Sequence, residues 1–345
     1  MRTVLVWINY VFAILILLAY LSAWISPDQL WYLSLLGLFY PVLFFCNVGF
    51  VIFWLVTKPS RALISFLALA IGFKYALSFY ALPFNHKEII PSAHLRVVSY
   101  NGGNLVAFTK KYKKPDLQVP GKYFQSLQAD IFCLQEFSKA QVEVMLQNLD
   151  SSYHYEFVPP LGLLTRYPIH QTGYLSLPGS KTPFALWADV GTSDTSTLRV
   201  YSIYMPSNRV STDADQLVKG GDLKEQSTWR KIGRMLLKYR GAANKRLEAY
   251  KLMEQELVNL NIPYVLGGDF NDVPQSYLYH QVTQRHTDSF RTHRGLSTTY
   301  GGVIPFLRID YLFASPSLLP LSYKRDKVFF SDHYPIISTF ALSKS

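Results

Sequence analysis

The stretch YVLGGDFNDVP, Tyr264–Pro274, decides how the second part of the chain is read. Tyr264, Val265 and Leu266 have the β-branched and aromatic character of a buried strand. Two glycines follow, then Asp269 and Asn271 flank a single phenylalanine, and Pro274 ends the run. Glycines let the backbone turn closely. The pattern therefore predicts a strand that ends by presenting a carboxylate and an amide to a shared site.

Working outward, the same arrangement recurs. Asn101 follows LRVVSY, Glu136 follows IFCLQ, Tyr204 ends VYSIY, Asp310 opens DYLF, and Asp332 and His333 follow VFFS. HYEFV, GLLT, FALWADV and YPIISTF are further strand-length runs separated by Gly, Pro and Ser clusters. Between Gln226 and Leu260 the period becomes helical, with Trp229, Ile232, Leu236 and Tyr239, then Tyr250, Met253, Leu257 and Leu260, and Gly241 as a candidate break. Many short strands with fewer helices predict a sheet-rich α/β domain, two packed sheets with helices outside. Polar groups at strand ends then gather on one rim.

These residue types suit metal-assisted attack on a phosphate ester. Glu136 is a hard oxygen ligand for Mg²⁺ or Mn²⁺, and such an ion neutralises phosphate oxygens. Asp269 is placed to orient or deprotonate water, Asn271 to hydrogen-bond the phosphate, His333 to contact it, and Asp310 to hold the imidazole. No H-x-x-x-H or C-x-x-C occurs, so zinc is not suggested. Singly, each has a plainer reading: strand-end Asp and Asn shape turns, and Asp310 two residues after Arg308 reads as an ion pair. Cys46 and Cys133 are too few for a disulfide framework and read as small apolar side chains.

The first ninety residues differ. The mean hydropathy of +0.10 is high for a soluble enzyme, and the excess lies in three apolar segments, Val4–Ile25, Trp31–Val56 and Ala62–Leu82. Each exceeds the roughly 20 residues a helix needs to cross hydrocarbon, and three segments do not make a signal peptide. Lys74 is the one charge inside the third. Arg2 and the loop TKPSR carry positive charge whereas SPDQL carries none. The bias toward cytoplasmic Lys and Arg then places everything past about residue 85 outside the cytoplasm. The expected organisation is a membrane anchor of three transmembrane helices over residues 1–85 and a catalytic domain over residues 92–345. The expected location is a bacterial inner membrane, with the domain facing the periplasm.

The motifs VVSYNGGN, DIFCLQE, GLLTRYPI, VYSIYMP, GGDFNDVP, RIDYLF and SDHYPI, in this order over Leu95–Leu342, resemble the endonuclease/exonuclease/phosphatase superfamily. That resemblance implies a four-layered α/β sandwich and a divalent-metal phosphohydrolase. It implies Glu136 as metal ligand with Asn101 its neighbour and Asp332 a further metal or site carboxylate. It also implies Asp269 as the water-activating group, Asn271 as phosphate contact, and Asp310 as partner of His333. Two positions depart from it. Many members have histidine where this chain has Tyr204, although abasic-site nucleases have tyrosine in a similar Y-x-P setting. Gly103 stands where abasic-site enzymes have an acid, with Asn104 a weak substitute.

The net charge of +11 favours anionic partners. Lys110, Lys111, Lys113 and Lys114, and Arg230, Lys231, Arg234, Lys238, Arg240, Lys245 and Arg246, read as a track for nucleic acid or lipid headgroups, or as a solvated face. Arg166 and Arg209 are weaker candidates for phosphate contact. The leading expectation is a membrane-anchored phosphodiesterase or nuclease dependent on Mg²⁺ or Mn²⁺. The alternatives are a phospholipid or sphingomyelin headgroup hydrolase, a phosphate monoesterase, and a binding or scaffold member that has lost catalysis. An apolar rim beside the pocket would favour the headgroup hydrolase.

Overall fold

The structure is a computed structural model that describes residues 2–82, 94–111, 116–193, 196–207, 226–296, 298–302 and 306–342. Five helices come first: α1 (Arg2–Leu21), α2 (Pro27–Leu38), α3 (Tyr40–Thr57), α4 (Ala62–Ile71) and α5 (Phe73–Phe79). Two of them, over Thr3–Leu21 and Tyr40–Thr57, are long and apolar enough to cross a membrane. The expected third span is instead a broken pair, Pro59–Ile71 and Phe73–Phe79, bent by 67°, and makes a third crossing only if the pair counts as one. The expected second span is likewise divided, α2 ending at Leu38 and α3 starting at Tyr40. Hydropathy sees apolar runs but not such breaks. At Gly72 a side chain would strike the Tyr20 ring, so the bend is packed tightly on α1. Lys74 lies just past that bend with its ammonium 5.1 Å from the Trp24 ring, three residues beyond the end of α1.

Two six-stranded sheets follow. One has the order β13 (Leu319–Arg325), β14 (Ile336–Ala341), β2 (His94–Asn101), β3 (Ile131–Gln135), β5 (Leu161–Thr165), β4 (His154–Val158). The other has the order β10 (Thr287–Asp288), β12 (Asp310–Ala314), β9 (Tyr264–Asp269), β8 (Ser196–Tyr204), β7 (Pro183–Ser193), β6 (Ile169–Ser176). Both sheets are mixed: β2 and β3 are parallel, β8 and β9 are parallel, and the other pairs are antiparallel. Short β1 (Tyr80–Ala81) pairs with β11 (Gly295–Leu296) and ties the helical part to the sandwich.

The inner faces share one core in which Val97, Cys133 and Leu163 meet Leu186, Val200, Val265 and Leu312. Helices α7 (Gln118–Ser126) and α8 (Lys139–Asn148) cover the first sheet through Phe124, Val142 and Met145. Helices α9 (Gln226–Val258) and α10 (Tyr277–Arg285) cover the second through Tyr250, Met253, Leu257 and Val282. The result is the expected helix–sheet–sheet–helix order, each buried large side chain stabilising it by roughly 1.5–3 kcal/mol. Gly241 does not break α9. It sits inside a continuous helix, with open space where a side chain would be.

Candidate active site

The inner face of each central strand is apolar until one end, where the period-two alternation runs into polar residues. In β9, Val265 packs in the inter-sheet core and Asp269 lies on the same face four residues on. In β2, Val97 leads to Ser99 and Asn101; in β3, Cys133 leads to Gln135; in β8, Val200 leads to Ser202 and Tyr204; and β12 begins with Asp310. Register brings these ends together, with Asn101 opposite Gln135 and Asp269 opposite both Tyr204 and Asp310.

Hydrogen bonds then cross between the sheets. Asn101 Nδ2 donates to Glu136 Oε1 at 3.0 Å and to Asp269 Oδ2 at 3.0 Å. Gln135 Nε2 donates to Ser202 Oγ at 3.0 Å beneath them. Asp269 Oδ1 accepts the Asn271 backbone N–H at 2.8 Å. The Asn271 side-chain amide donates to Met205 O at 2.9 Å and to Asp269 Oδ2 at 3.1 Å. Asn271 was expected to reach the phosphate; here one of its amide hydrogens goes to Met205 O and the other to Asp269 Oδ2. Its φ of +51°, like the +53° of Glu136, is a left-handed value at which the chain departs sharply from the strand direction.

His333 Nδ1 lies 3.0 and 3.1 Å from the two Asp310 oxygens, and Nε2 lies 3.9 Å from Asp269 Oδ2. The expected pairing of Asp310 with His333 is thus present, and Arg308 instead pairs with Asp288 at 2.7 Å. His333 does not follow a strand as VFFS suggested; it lies in the irregular segment between β13 and β14. That segment is braced from outside. The Tyr300 ring stands edge-on to the imidazole at 4.9 Å, and Thr299 Oγ1 accepts the backbone N–H groups of Ile309 and Asp310.

Burial, then the Asp310 carboxylate, push the Asp269 carboxyl up to about 7 against the pull of His333, Asn271 and Asn101. Burial alone would push His333 down, but Asp310 and then Asp269 overcome it and hold the imidazole up at about 10. The pair thus favours a protonated ring beside a carboxyl raised well above its ordinary range.

The two glycines before Asp269 do not make a turn, because both lie inside β9. They permit close packing. A Cβ on Gly268 would stand 2.0 Å from Ile203 O, and one on Gly267 would stand 2.9 Å from Cys133 Sγ on the facing sheet. Asp272 and Arg246 escaped the sequence reading of the site. Arg246 on α9 was grouped with a solvated basic face, yet it is buried, 3.3 Å from Asp272 and 3.2 Å from Pro206 O. It ties the segment after Asp269 to the segment after Tyr204. The D in GGDFND was the available signal.

Asp332 is exposed at the mouth. A Cβ on Gly103 would come within 3.3 Å of its Oδ1, so it stands beside the Asn101 loop. Tyr204 is half-buried against the inter-sheet core at the site end. Arg166 is not at the site. β5 is antiparallel to β3, with Thr165 opposite Ile131 and Leu161 opposite Gln135. Arg166 therefore leaves at the far end of the sheet from Glu136, where it meets Tyr153 and Asp150. Arg209, Lys113 and Lys114 lie outside the described residues.

For a hard divalent cation, the donor chemistry fits. Glu136 offers a half-buried carboxylate, and the Asn101 amide already bridges two carboxylate oxygens. Asp269, Asp310 and His333 also bring ligand atoms within 4.8 Å of one another, although His333 Nδ1 is taken by Asp310.

Residues 98–333 match the model of the Endonuclease/Exonuclease/phosphatase family. Residues 2–79 match a family described as a domain of unknown function. No curated protein matches the chain. Among solved structures, an endonuclease/exonuclease/phosphatase from Bacteroides vulgatus is similar at TM-score 0.52 and 16% identity, over 73% of this chain and 100% of that one. A mannosyl-6-phosphatase of Bacteroides thetaiotaomicron is similar at TM-score 0.51 and 20% identity, over 72% of this chain and 100% of that one. An endonuclease/exonuclease/phosphatase from Beutenbergia cavernae gives TM-score 0.51 and 17% identity, over 72% of each chain. At these identities the likeness is one of fold.

Proposed function

We propose, since this chain belongs to the endonuclease/exonuclease/phosphatase family, that it is a membrane-anchored hydrolase of phosphate esters, acting through Asp269 and His333. The observation that carries this reading is the bonded set Glu136–Asn101–Asp269 beside the Asp310–His333 pair. Asp269 takes the proton of the attacking water, and a carboxyl raised toward neutrality is a better base than an ordinary one. Asn101 and Asn271 hold its two oxygens. His333, kept protonated by Asp310, presents Nε2–H to a phosphate oxygen. Tyr204 supplies a phenol at the same rim. Glu136 and Asn101, with Asp332 at the mouth, would hold Mg²⁺ or Mn²⁺. When bound, the ion neutralises charge on the phosphate and the leaving oxygen.

The anchor is read as membrane-spanning through its two long apolar helices. The catalytic domain contacts Ser22 and Trp24 past the end of α1, opposite the end that begins at Arg2. This supports a domain on the far side of the membrane from Arg2, Lys58 and Arg61.

Full-length protein in detergent tests the reading with bis-p-nitrophenyl phosphate and p-nitrophenyl phosphate. The expected result is turnover that needs Mg²⁺ or Mn²⁺, is abolished by chelator and is lost in Glu136→Gln. Metal binding without turnover of either ester would instead favour a binding role.

A further inference from the structure

We propose, resting on the hydrolase reading above, that the site takes its phosphate ester from the bilayer surface, so that the substrate is a lipid headgroup phosphate. The end of the sandwich that carries the site is the end joined to the helices. Val273, four residues past Asp269, and Ile309, next to Asp310, are buried together with Leu38 of α2. Tyr300 stands against His333, and six positions on in sequence the Phe306 ring packs on Phe45 of α3 at 5.3 Å and on Phe79 of α5 at 6.3 Å. Phe45 is five residues into α3, about 7.5 Å along the helix at 1.5 Å per residue. With the first residue of α3 taken as the bilayer surface, that is the depth, about 5–10 Å, at which interfacial side chains enter the headgroup and acyl boundary. Two residues six positions apart therefore touch the catalytic imidazole and the surface of α3.

The other side of the mouth has the matching character. Val106, just past the Asn101 loop on α6 (Val106–Lys111), is 43% exposed, and Phe329, three residues before Asp332, is 57% exposed. Phe108 of α6 meets Phe330 at 5.4 Å, so these two segments are one rim. Lys111 sets its ammonium 6.0 Å from the Phe329 ring, and Lys110 is exposed beside it. Exposed apolar side chains with lysines beside them are what an anionic bilayer surface binds. A polynucleotide would use the lysines and leave the apolar pair in water, and a free phosphate ester needs neither.

The reaction is hydrolysis. The water oxygen bonds to phosphorus, one P–O ester bond breaks, a proton passes from water to Asp269, and the leaving alkoxide takes up a proton. The products are an alcohol and a phosphate bearing one ester fewer.

The experiment uses full-length protein with Mg²⁺ and four probes: vesicles of phosphatidylglycerol and phosphatidylethanolamine, the deacylated soluble diester glycerophosphoglycerol, a single-stranded oligonucleotide, and bis-p-nitrophenyl phosphate. The expected result is vesicle turnover at least about tenfold above that of the soluble diester and the oligonucleotide, with the vesicle-to-bis-p-nitrophenyl ratio falling about tenfold in Phe329→Asp as an interfacial anchor is removed. Val106→Asp, on a separate segment, should lower the same ratio. If the soluble diester or the oligonucleotide is cleaved as fast as the vesicles, and neither variant moves the ratio, the lipid proposal is overturned while the hydrolase reading stands. If none of the four probes is cleaved, both fall.

Discussion

Alanine at Gly268 is the sharpest structural test of how the site is built. Its Cβ would stand 2.0 Å from Ile203 O and 2.7 Å from Ile203 C, where ordinary contact begins at 3.4 Å. The shortfall is 3.4 − 2.0 = 1.4 Å against backbone that cannot rotate away. Neighbouring strands stand about 4.8 Å apart, so this shift opens the parallel β8–β9 pair or tilts β9. Overpacking of a full interior costs typically 1–3 kcal/mol, and loosened ladder hydrogen bonds add about 1 kcal/mol each. The expected loss is about 3 kcal/mol or more. The same shift moves Asp269, the next residue, away from Asn101 and Asn271. Gly241→Ala is the matched control. It adds a methyl to open space inside α9 and should stabilise by up to about 1 kcal/mol. Thermal unfolding of full-length protein in detergent, followed by far-ultraviolet circular dichroism, reads both. Gly268→Ala should melt well below wild type and Gly241→Ala at or above it. Equal melting of the two variants would refute the close-packing explanation of the two glycines.

Three further outcomes follow from the same contacts. In Asp310→Asn, His333 loses the carboxylate that most raises it; stability from the protonated ring is present below its ordinary 6.5 and lost as pH rises through about 10 in the wild type, so the alkaline fall in melting temperature should move toward neutral pH, and an unmoved limb would count against the pairing. Arg308→Met leaves Asp288 buried without its cation and frees the Ser78 carbonyl of α5; breaking a buried pair costs about 3–5 kcal/mol, and a chemical-denaturation midpoint equal to wild type would contradict that. Ser65→Ala removes a hydroxyl bonded at 2.5 Å to Asn9 and 2.8 Å to Asn47 among the helices; about 1 kcal/mol should be lost in dodecyl sulfate unfolding, whereas a gain would show that this cluster is dispensable.

Much of the site was legible because chemistry-bearing residues ended strands, and a strand end has a direction. Asn101, Asp269 and Asp310 come together for that reason, with period-two alternation keeping them on the inner face, and Glu136 joins them through the left-handed backbone just past β3. Arg166 also ended a strand-like run, but antiparallel pairing sends it to the other end of the sheet, and pairing direction is not written in a single strand. The glycines before Asp269 suggested a turn because a composition cue does not say which neighbour approaches the missing Cβ. Arg246 looked like one cation on a basic helix, and only α9 packing beside the Asp272 segment buries it. The apolar runs of the anchor were visible, but hydropathy does not register their breaks, one at Phe39 just before Pro41 opens α3 and one at Gly72, where Tyr20 of α1 packs close to the backbone. None of the docking of Leu38, Phe45 and Phe79 against the site loops was legible, since those contacts join residues more than two hundred positions apart.

The most direct test of the central claim compares wild type with Asp269→Asn in hydrolysis of bis-p-nitrophenyl phosphate by the full-length protein at saturating Mg²⁺. Asn keeps the size of the side chain and the bonds it can accept through one oxygen but cannot take the proton of water, so kcat should fall at least about a hundredfold while the protein stays folded and still binds the metal. Turnover within about twofold of wild type, with the same sensitivity to chelator, would contradict a general base at Asp269 and with it the reading of this site.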